Sequence, residues 1–259
     1  MGDVTDPRVA PAAARFGDLA ARYERVRPAY PAAILAALAR RTGLEPGTIV
    51  IDLGAGTGTL TRQLADLGAD VTAVEPSAGM RARCAAAVPG AAVVDGTAEA
   101  VPVATASADV VTAAQAIHWF VPGPALDEIA RVLRPGGWLA VVGYDTPPGG
   151  WAAEFWHLRR ELTGFAAEYP GLGWEAVVDA DPRFGPRETD LVVVRATTTP
   201  DGLRAEGRSR SALHALDPAG RARVEHALAG FLATHPETAG RSALAYDRPC
   251  VLHLCRRLP

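Results

Sequence analysis

The residues best suited to chemistry in this 259-residue chain gather in Asp52-Leu53-Gly54-Ala55-Gly56-Thr57-Gly58, with Glu75 seventeen residues past Gly58. Glycines permit a tight turn and let a ligand approach the backbone closely. Where a helix opens directly after such a turn, its free N–H groups favour an electron-rich ligand group. A carboxylate at Glu75 is placed to accept both hydroxyls of a ribose. A dinucleotide site needs G-x-G-x-x-G, because a pyrophosphate must sit on the helix N-terminus. Here the third glycine comes after one residue, and Asp52 precedes the loop by two. A carboxylate in that position repels a pyrophosphate and suits a ligand carrying an ammonium group. The pattern points away from a nicotinamide dinucleotide and toward S-adenosylmethionine (SAM).

His118 is the sharpest candidate for acid–base work, since an imidazole pKa of about 6.5 suits proton removal at neutral pH. A competing reading makes His118-Trp119-Phe120 an aromatic wall under the ligand, with His118 only hydrogen-bonded. His157, His214, His226, His235 and His253 are scattered without metal-ligand spacing, so no metal site is expected. All basic residues are arginine, which removes lysine as Schiff-base former, general base or phosphate ligand. Three cysteines (Cys84, Cys250, Cys255) are too few and too uneven for a disulfide framework or a zinc site. Twenty-six Lys+Arg against 29 Asp+Glu give −3, which is no electrostatic footprint for nucleic acid or an anionic membrane. The first ten residues carry early acids and no apolar segment, Asp6 breaks the myristoylation pattern, and no apolar run approaches a membrane span. A soluble cytoplasmic protein is expected.

The elements that position these residues follow from hydrophobic periodicity. TIVIDL ends in the glycine loop and a helical TLTRQLADLG follows. VTAVE, helical SAGMRARCAAA and AAVVD come next. After a connector from Val101 to Ser107 come ADVVTAA, helical LDEIARVL, the link RPGG and WLAVVGY. Short apolar strands alternating with amphipathic helices predict βαβ units and a doubly wound α/β sheet, with ligands beyond the carboxyl ends of the strands. Arg15 to Arg41 predicts two helices separated by Pro28-Ala29-Tyr30-Pro31. The tail predicts helices at Trp151–Thr163 and Pro218–Thr234 and strands at Asp190–Ala196 and Cys250–Cys255. Residues 1–47 are read as an N-terminal helical lid and 48–145 as the ligand-binding core. Residues 146–259 are read as remaining strands and cap elements of the same domain.

With these residues in place, the chain resembles the class I SAM-dependent methyltransferases. IDLGAGTGTLTRQLA resembles their first motif, VEPSAGM their second-strand motif and LRPGGWLAVVGY their fifth-strand segment. FGDLAARYERVRPAYP, AQAIHWF and GRSRSA…AGRARVEHAL resemble the methyltransferase type 11, trans-aconitate methyltransferase-like subgroup. The resemblance implies a Rossmann-like seven-stranded sheet with its last strand antiparallel. It also implies that Gly54, Ala55, Gly56, Thr57 and Gly58 wrap the methionine part of SAM, with Asp52 near its ammonium. Glu75 would hold the ribose. Pro76, Ser77, Met80, Thr97 and Ala98 would lie beside the adenine, and Ala114 and Gln115 beneath the methionine portion. Tyr23 and Arg27 would contact cofactor or substrate from the lid, and His118, Trp119, Trp151 and Trp156 would line an acceptor pocket. Methyl transfer to a small molecule is the implied activity. The alternatives are a SAM-using cyclase or pericyclic catalyst, a nicotinamide-dependent oxidoreductase, and a non-catalytic SAM-binding module.

Overall fold

Pro31 starts helix α1, Ala32–Thr42, and Gly43 ends it at φ 72° with its N–H on the Ala39 carbonyl. Glycine adopts this left-handed cap without the Cβ penalty, and Arg40 and Arg41 in the last turn complement the helix dipole. A computed structural model of the chain describes residues 29–164, 173–208, 213 and 216–259. The first of the two expected N-terminal helices, and Tyr23 and Arg27 with it, lie outside the described residues. Tyr30, just ahead of α1, exchanges two hydrogen bonds with the Gln63 side chain, at 3.0 and 2.9 Å.

The alternation read from the sequence becomes strands β1 (Ile49–Leu53), β2 (Asp70–Val74), β3 (Ala92–Val94), β4 (Ala108–Ala114) and β5 (Leu133–Tyr144). Helices α2 (Thr59–Asp66), α3 (Ala78–Ala87) and α4 (Pro122–Val132) connect them. The tail adds β6 (Glu188–Thr198) and β7 (Leu244–Arg256) to the same sheet, giving seven strands in the order β3-β2-β1-β4-β5-β7-β6. Strands β1 to β5 are parallel, and β7 is antiparallel to both β5 and β6. This is a Rossmann-like α/β fold.

Successive strand residues point to opposite faces, and the core divides accordingly. Ile51, Val111 and Val141 join the cluster under α4, whereas Val50, Val110 and Ala140 join the cluster under α1 and α2. Burial on both faces explains why the central strands read as unbroken apolar runs. The order reverses between β1 and β4, so their carboxyl ends splay connections to opposite sides and open a crevice there. The glycine loop and Gln115 occupy its two rims.

Two strand boundaries differ from expectation. Arg134-Pro135-Gly136-Gly137, read as a link, lies within β5. A register shift between Ala108 and Val110 accommodates it, and Gly137 sits so close that a Cβ would lie 2.8 Å from the Asp109 carbonyl oxygen. β7 begins six residues before Cys250, so Tyr246 lies inside the strand, opposite Ala196.

Helices α5 (Gly150–Thr163), α6 (Trp174–Ala180), α7 (Pro200–Arg208) and α8 (Pro218–Thr234) follow β5. Asp217 caps α8 by accepting from the Gly220 N–H, ahead of Pro218 at the first helical position. Helices α5, α7 and α8 share a third apolar cluster with Leu244 and Tyr246 at the start of β7; this helical group is called the cap. Among the described residues, no helix is long and apolar enough to cross a membrane.

Candidate functional site

The three loop glycines all have positive φ: 65° at Gly54, 59° at Gly56 and 84° at Gly58. Their surroundings separate them. A Cβ on Gly54 would lie 2.7 Å from Ala116 Cβ, and one on Gly58 2.8 Å from Cys84 Sγ, so both are packing positions. A Cβ on Gly56 would meet nothing within 4 Å. That glycine faces open space in the crevice. The N–H groups of Gly54 and Ala55 donate to the Val74 carbonyl at 2.9 and 3.2 Å, tying the loop to the end of β2. Thr57 Oγ1 is buried and has no hydrogen-bond partner among the described residues.

Glu75 follows β2 and is 8% exposed. Its Oε2 accepts from the Gly56 N–H and its Oε1 from the Ser77 N–H, each at 2.9 Å. A carboxylate offers about four lone-pair directions, so each oxygen keeps one for a ligand. Burial pushes the Glu75 carboxyl above its ordinary pKa, against the opposing pull of the two N–H donors and of Arg81. Arg81, which the sequence reading did not single out, donates to the Glu75 and Pro76 carbonyls at 2.9 and 2.7 Å and to Asp95 at 2.9 Å. It binds the ends of β2 and β3 together under the loop. Its position one helical turn into α3 is the only signal a sequence offers for that role.

Asp52, expected near a ligand ammonium, is held by α2 and β4 beneath the loop. Asp52 is 1% exposed and lies beneath the loop. Its Oδ1 accepts from Thr112 Oγ1 and its Oδ2 from Thr61 Oγ1, both at 2.7 Å. It therefore joins β1, β4 and α2 beneath the loop. Burial raises its pKa to about 6, with the two hydroxyl bonds opposing.

On the opposite rim, Ala114 ends β4 half-buried. Gln115 takes φ 54°, a conformation that costs a non-glycine residue about 1–2 kcal/mol. Its N–H donates to the Val142 carbonyl at 2.8 Å, and its side-chain amide reaches the Tyr144 carbonyl at 3.5 Å. A short 3-10 turn, Ile117–Trp119, then presents His118 and Trp119, both half-buried, with ring centroids 5.6 Å apart. Phe120 is buried, and a Cβ on Gly54 would lie 3.6 Å from its ring. The aromatic run thus backs the glycine loop.

The family model described as a methyltransferase domain matches residues 51–141. An uncharacterized methyltransferase of Mycobacterium tuberculosis is 37% identical over 251 residues, covering 91% of this chain and 93% of its own. A demethylmenaquinone methyltransferase of Beutenbergia cavernae is 39% identical over 145 residues, 54% of this chain and 60% of its own. Among solved structures, a protein of Anaeromyxobacter dehalogenans provisionally assigned as a type II methyltransferase superposes with a TM-score of 0.66 at 26% identity. That match covers 90% of this chain and 99% of the other. The chain is a SAM-dependent methyltransferase. Membership closes the nicotinamide reading. These relatives carry the wider family's name and not that of the trans-aconitate subgroup.

The remaining expected site residues of this methyltransferase lie in two places. Pro76 is half-buried at the start of the β2–α3 connection, and Met80 is buried on α3. Thr97 forms an isolated bridge with Ala100, and Ala98 is buried between them. All four stand on the β2–β3 side of the loop. Trp151 and Trp156 do not stand open to an acceptor. They are 6% and 7% exposed and belong to the core of the cap, where Trp151 meets Tyr246 edge-on at 5.6 Å. Spacing on one helix face is the same for a core and a pocket, so it could not tell them apart. Gly96 was also missed: a Cβ there would lie 2.7 Å from Pro102 and 2.9 Å from Val74.

Proposed function

We propose that this methyltransferase moves a methyl group onto a small organic acceptor held above the carboxyl ends of β4 and β5. One observation carries the donor half: each Glu75 oxygen has one unused lone-pair direction beside Gly56, the loop glycine with open space before it. That arrangement fits a vicinal diol, and the orphaned Thr57 hydroxyl offers a further polar contact. SAM, when bound, supplies an electrophilic methyl on a sulfonium and departs as S-adenosylhomocysteine.

The chain's part is orientation and exclusion of water. Glu75 holds the ribose hydroxyls, while Gly54 to Gly58 shape the turn around the methionine part. Pro76, Met80, Thr97 and Ala98 border the adenine. Asp52, ionised under the loop, favours an ammonium by its field, and Ala114 and Gln115 support the methionine portion from the other rim. Tyr23 and Arg27 are assigned contacts with the cofactor or substrate. Trp119 shields the reacting region, and an imidazole nitrogen of His118 takes the proton from a hydroxyl or amine acceptor. The named acceptor of the demethylmenaquinone methyltransferase relative is a small molecule, which supports the same class here.

Incubation with methyl-labelled SAM and small-molecule extracts tests the proposal. Labelled product with S-adenosylhomocysteine is expected. Methylthioadenosine in its place would show carbon transfer or cyclisation and overturn the methylation step.

A further inference from the structure

Residues 244, 246, 248, 250, 252 and 254 share one face of β7. Leu244 and Tyr246 belong to the cap core, and Cys250, Leu252 and Leu254 to the sheet core. Arg248 is the one charge in this buried row, at the seam between the two cores. Its side chain is 9% exposed. β5 pairs with β7 as far as Tyr144 opposite Cys250, and β7 is antiparallel. Arg248 therefore lies past the carboxyl end of β5, on the crevice side.

Its guanidinium bonds the Glu206 carboxylate through Nη1 and Nη2, and its carbon sits 4.2 Å from the centre of the Tyr144 ring. A guanidinium has five N–H donors. These two bonds are its hydrogen bonds among the described residues, so three donors remain. Tyr144 also receives the Gln115 side chain on its carbonyl. Arg248 thus stands one side chain away from the rim assigned to the methionine portion.

We infer that Arg248 binds the methyl acceptor through a carboxylate, so that the substrates are small organic acids. The inference rests on the proposed acceptor position above β4 and β5. A planar fork of N–H donors matches a carboxylate, and Tyr144 under the guanidinium holds the fork in plane. Glu206 neutralises the cation when the site is vacant and fixes its orientation. The same Glu206 disfavours a phosphate dianion, whose second charge would add repulsion in a buried site.

The test uses the full chain saturated with S-adenosylhomocysteine, with binding of that ligand titrated first. Benzoate, phenylacetate, succinate and citrate are then titrated by calorimetry and thermal shift against benzamide, succinamide and inorganic phosphate. At least one acid is expected to bind saturably and at least about tenfold more tightly than its amide or phosphate. Arg248→Gln should weaken that acid by about tenfold to a hundredfold. Arg248→Lys, which keeps the buried cation and its Glu206 partner, should fold and still weaken it. Arg195→Gln, removing an exposed pair with Asp247, should not. No acid binding up to 10 mM, equal binding of acids and amides, tighter phosphate, or unchanged binding in both Arg248 variants would each overturn the inference. Absent S-adenosylhomocysteine binding sinks the donor reading itself. Donor binding with any of those outcomes sinks this inference alone.

Discussion

Replacing Glu75 by glutamine removes one charge and turns one acceptor into a donor while keeping the side chain's size. In the wild type both oxygens already accept a backbone N–H at 2.9 Å, so the new amide must face either Gly56 or Ser77, donor to donor. The ribose loses one of its two acceptors, and the other becomes neutral. Hydrogen bonds to a charged group contribute about 1.5–3 kcal/mol each. Losing one and weakening the second should cost about 3–4 kcal/mol of binding, which is a Kd for SAM higher by about a hundredfold to a thousandfold. Because burial already raises the Glu75 pKa, the neutral variant sheds a desolvation cost and should keep its fold. Calorimetric titration of S-adenosylhomocysteine and its 2′-deoxy and 3′-deoxy analogues closes a double-mutant cycle on each hydroxyl. The wild type should discriminate against both deoxy ligands, and Glu75→Gln should discriminate much less. A variant with Kd within threefold of wild type at unchanged Tm would refute the ribose assignment.

Asp52 has a folded-state pKa of about 6 against an ordinary 3.8. The folded protein therefore binds this proton more tightly than the unfolded chain, and the group's contribution to stability falls as pH rises from about 4 to 6. Asp52→Asn, which can satisfy both threonine hydroxyls without a charge, should equal wild type near pH 4 and exceed it by about 3 kcal/mol above pH 7. Urea melts across that range check this, and a pH-independent difference would count against it. Gly56→Ala meets no neighbour and bears only about 1–2 kcal/mol of left-handed strain. Its Tm should fall by a few degrees while SAM affinity drops at least about tenfold; Gly54→Ala, whose Cβ would lie 2.7 Å from Ala116 Cβ, should lose more stability. His118→Ala should lower kcat on a hydroxyl or amine acceptor by about a hundredfold or more with little change in KM for SAM. Near-normal turnover would leave His118 as part of the aromatic wall.

What could be read from the sequence depended on whether a residue's role is local. β4 was legible to the residue, because Ala108–Ala114 is buried on both faces and bounded by polar positions. β7 was read only from Cys250 onward. Pro249 cannot donate to a ladder, and Asp247 and Arg248 break the apolar run. The strand tolerates the proline because β5 gives out beside it, where the Asp145 N–H takes the Pro249 carbonyl at 3.0 Å. The pairing of Glu75 with the loop was legible, since strand, turn and acid come in order. The fate of Asp52 was not, because Thr61 and Thr112 come from a helix and from a strand on the other side of the crevice. The burial of Trp151 and Trp156 was hidden for a related reason: what α5 packs against lies some seventy residues away, on α8.

The two acids of the site divide one task between burial depths. Glu75 keeps lone pairs at the surface of the crevice and makes direct contact chemically sensible. Asp52 is bonded to Thr61 and Thr112 beneath the loop, yet it is held charged at neutral pH in surroundings that favour its neutral form. Two hydroxyls from β4 and α2 offset part of that penalty, and no arginine is among its hydrogen-bond partners in the described residues. A buried carboxylate without a cation is a standing electrostatic cost, and a ligand ammonium at the loop would relieve it. The same geometry explains why the loop can be stiff where it is packed, at Gly54 and Gly58, and open at Gly56. Asp52 anchors the strand from below, the Val74 carbonyl anchors the loop from the side, and only the glycine between them is left facing the ligand.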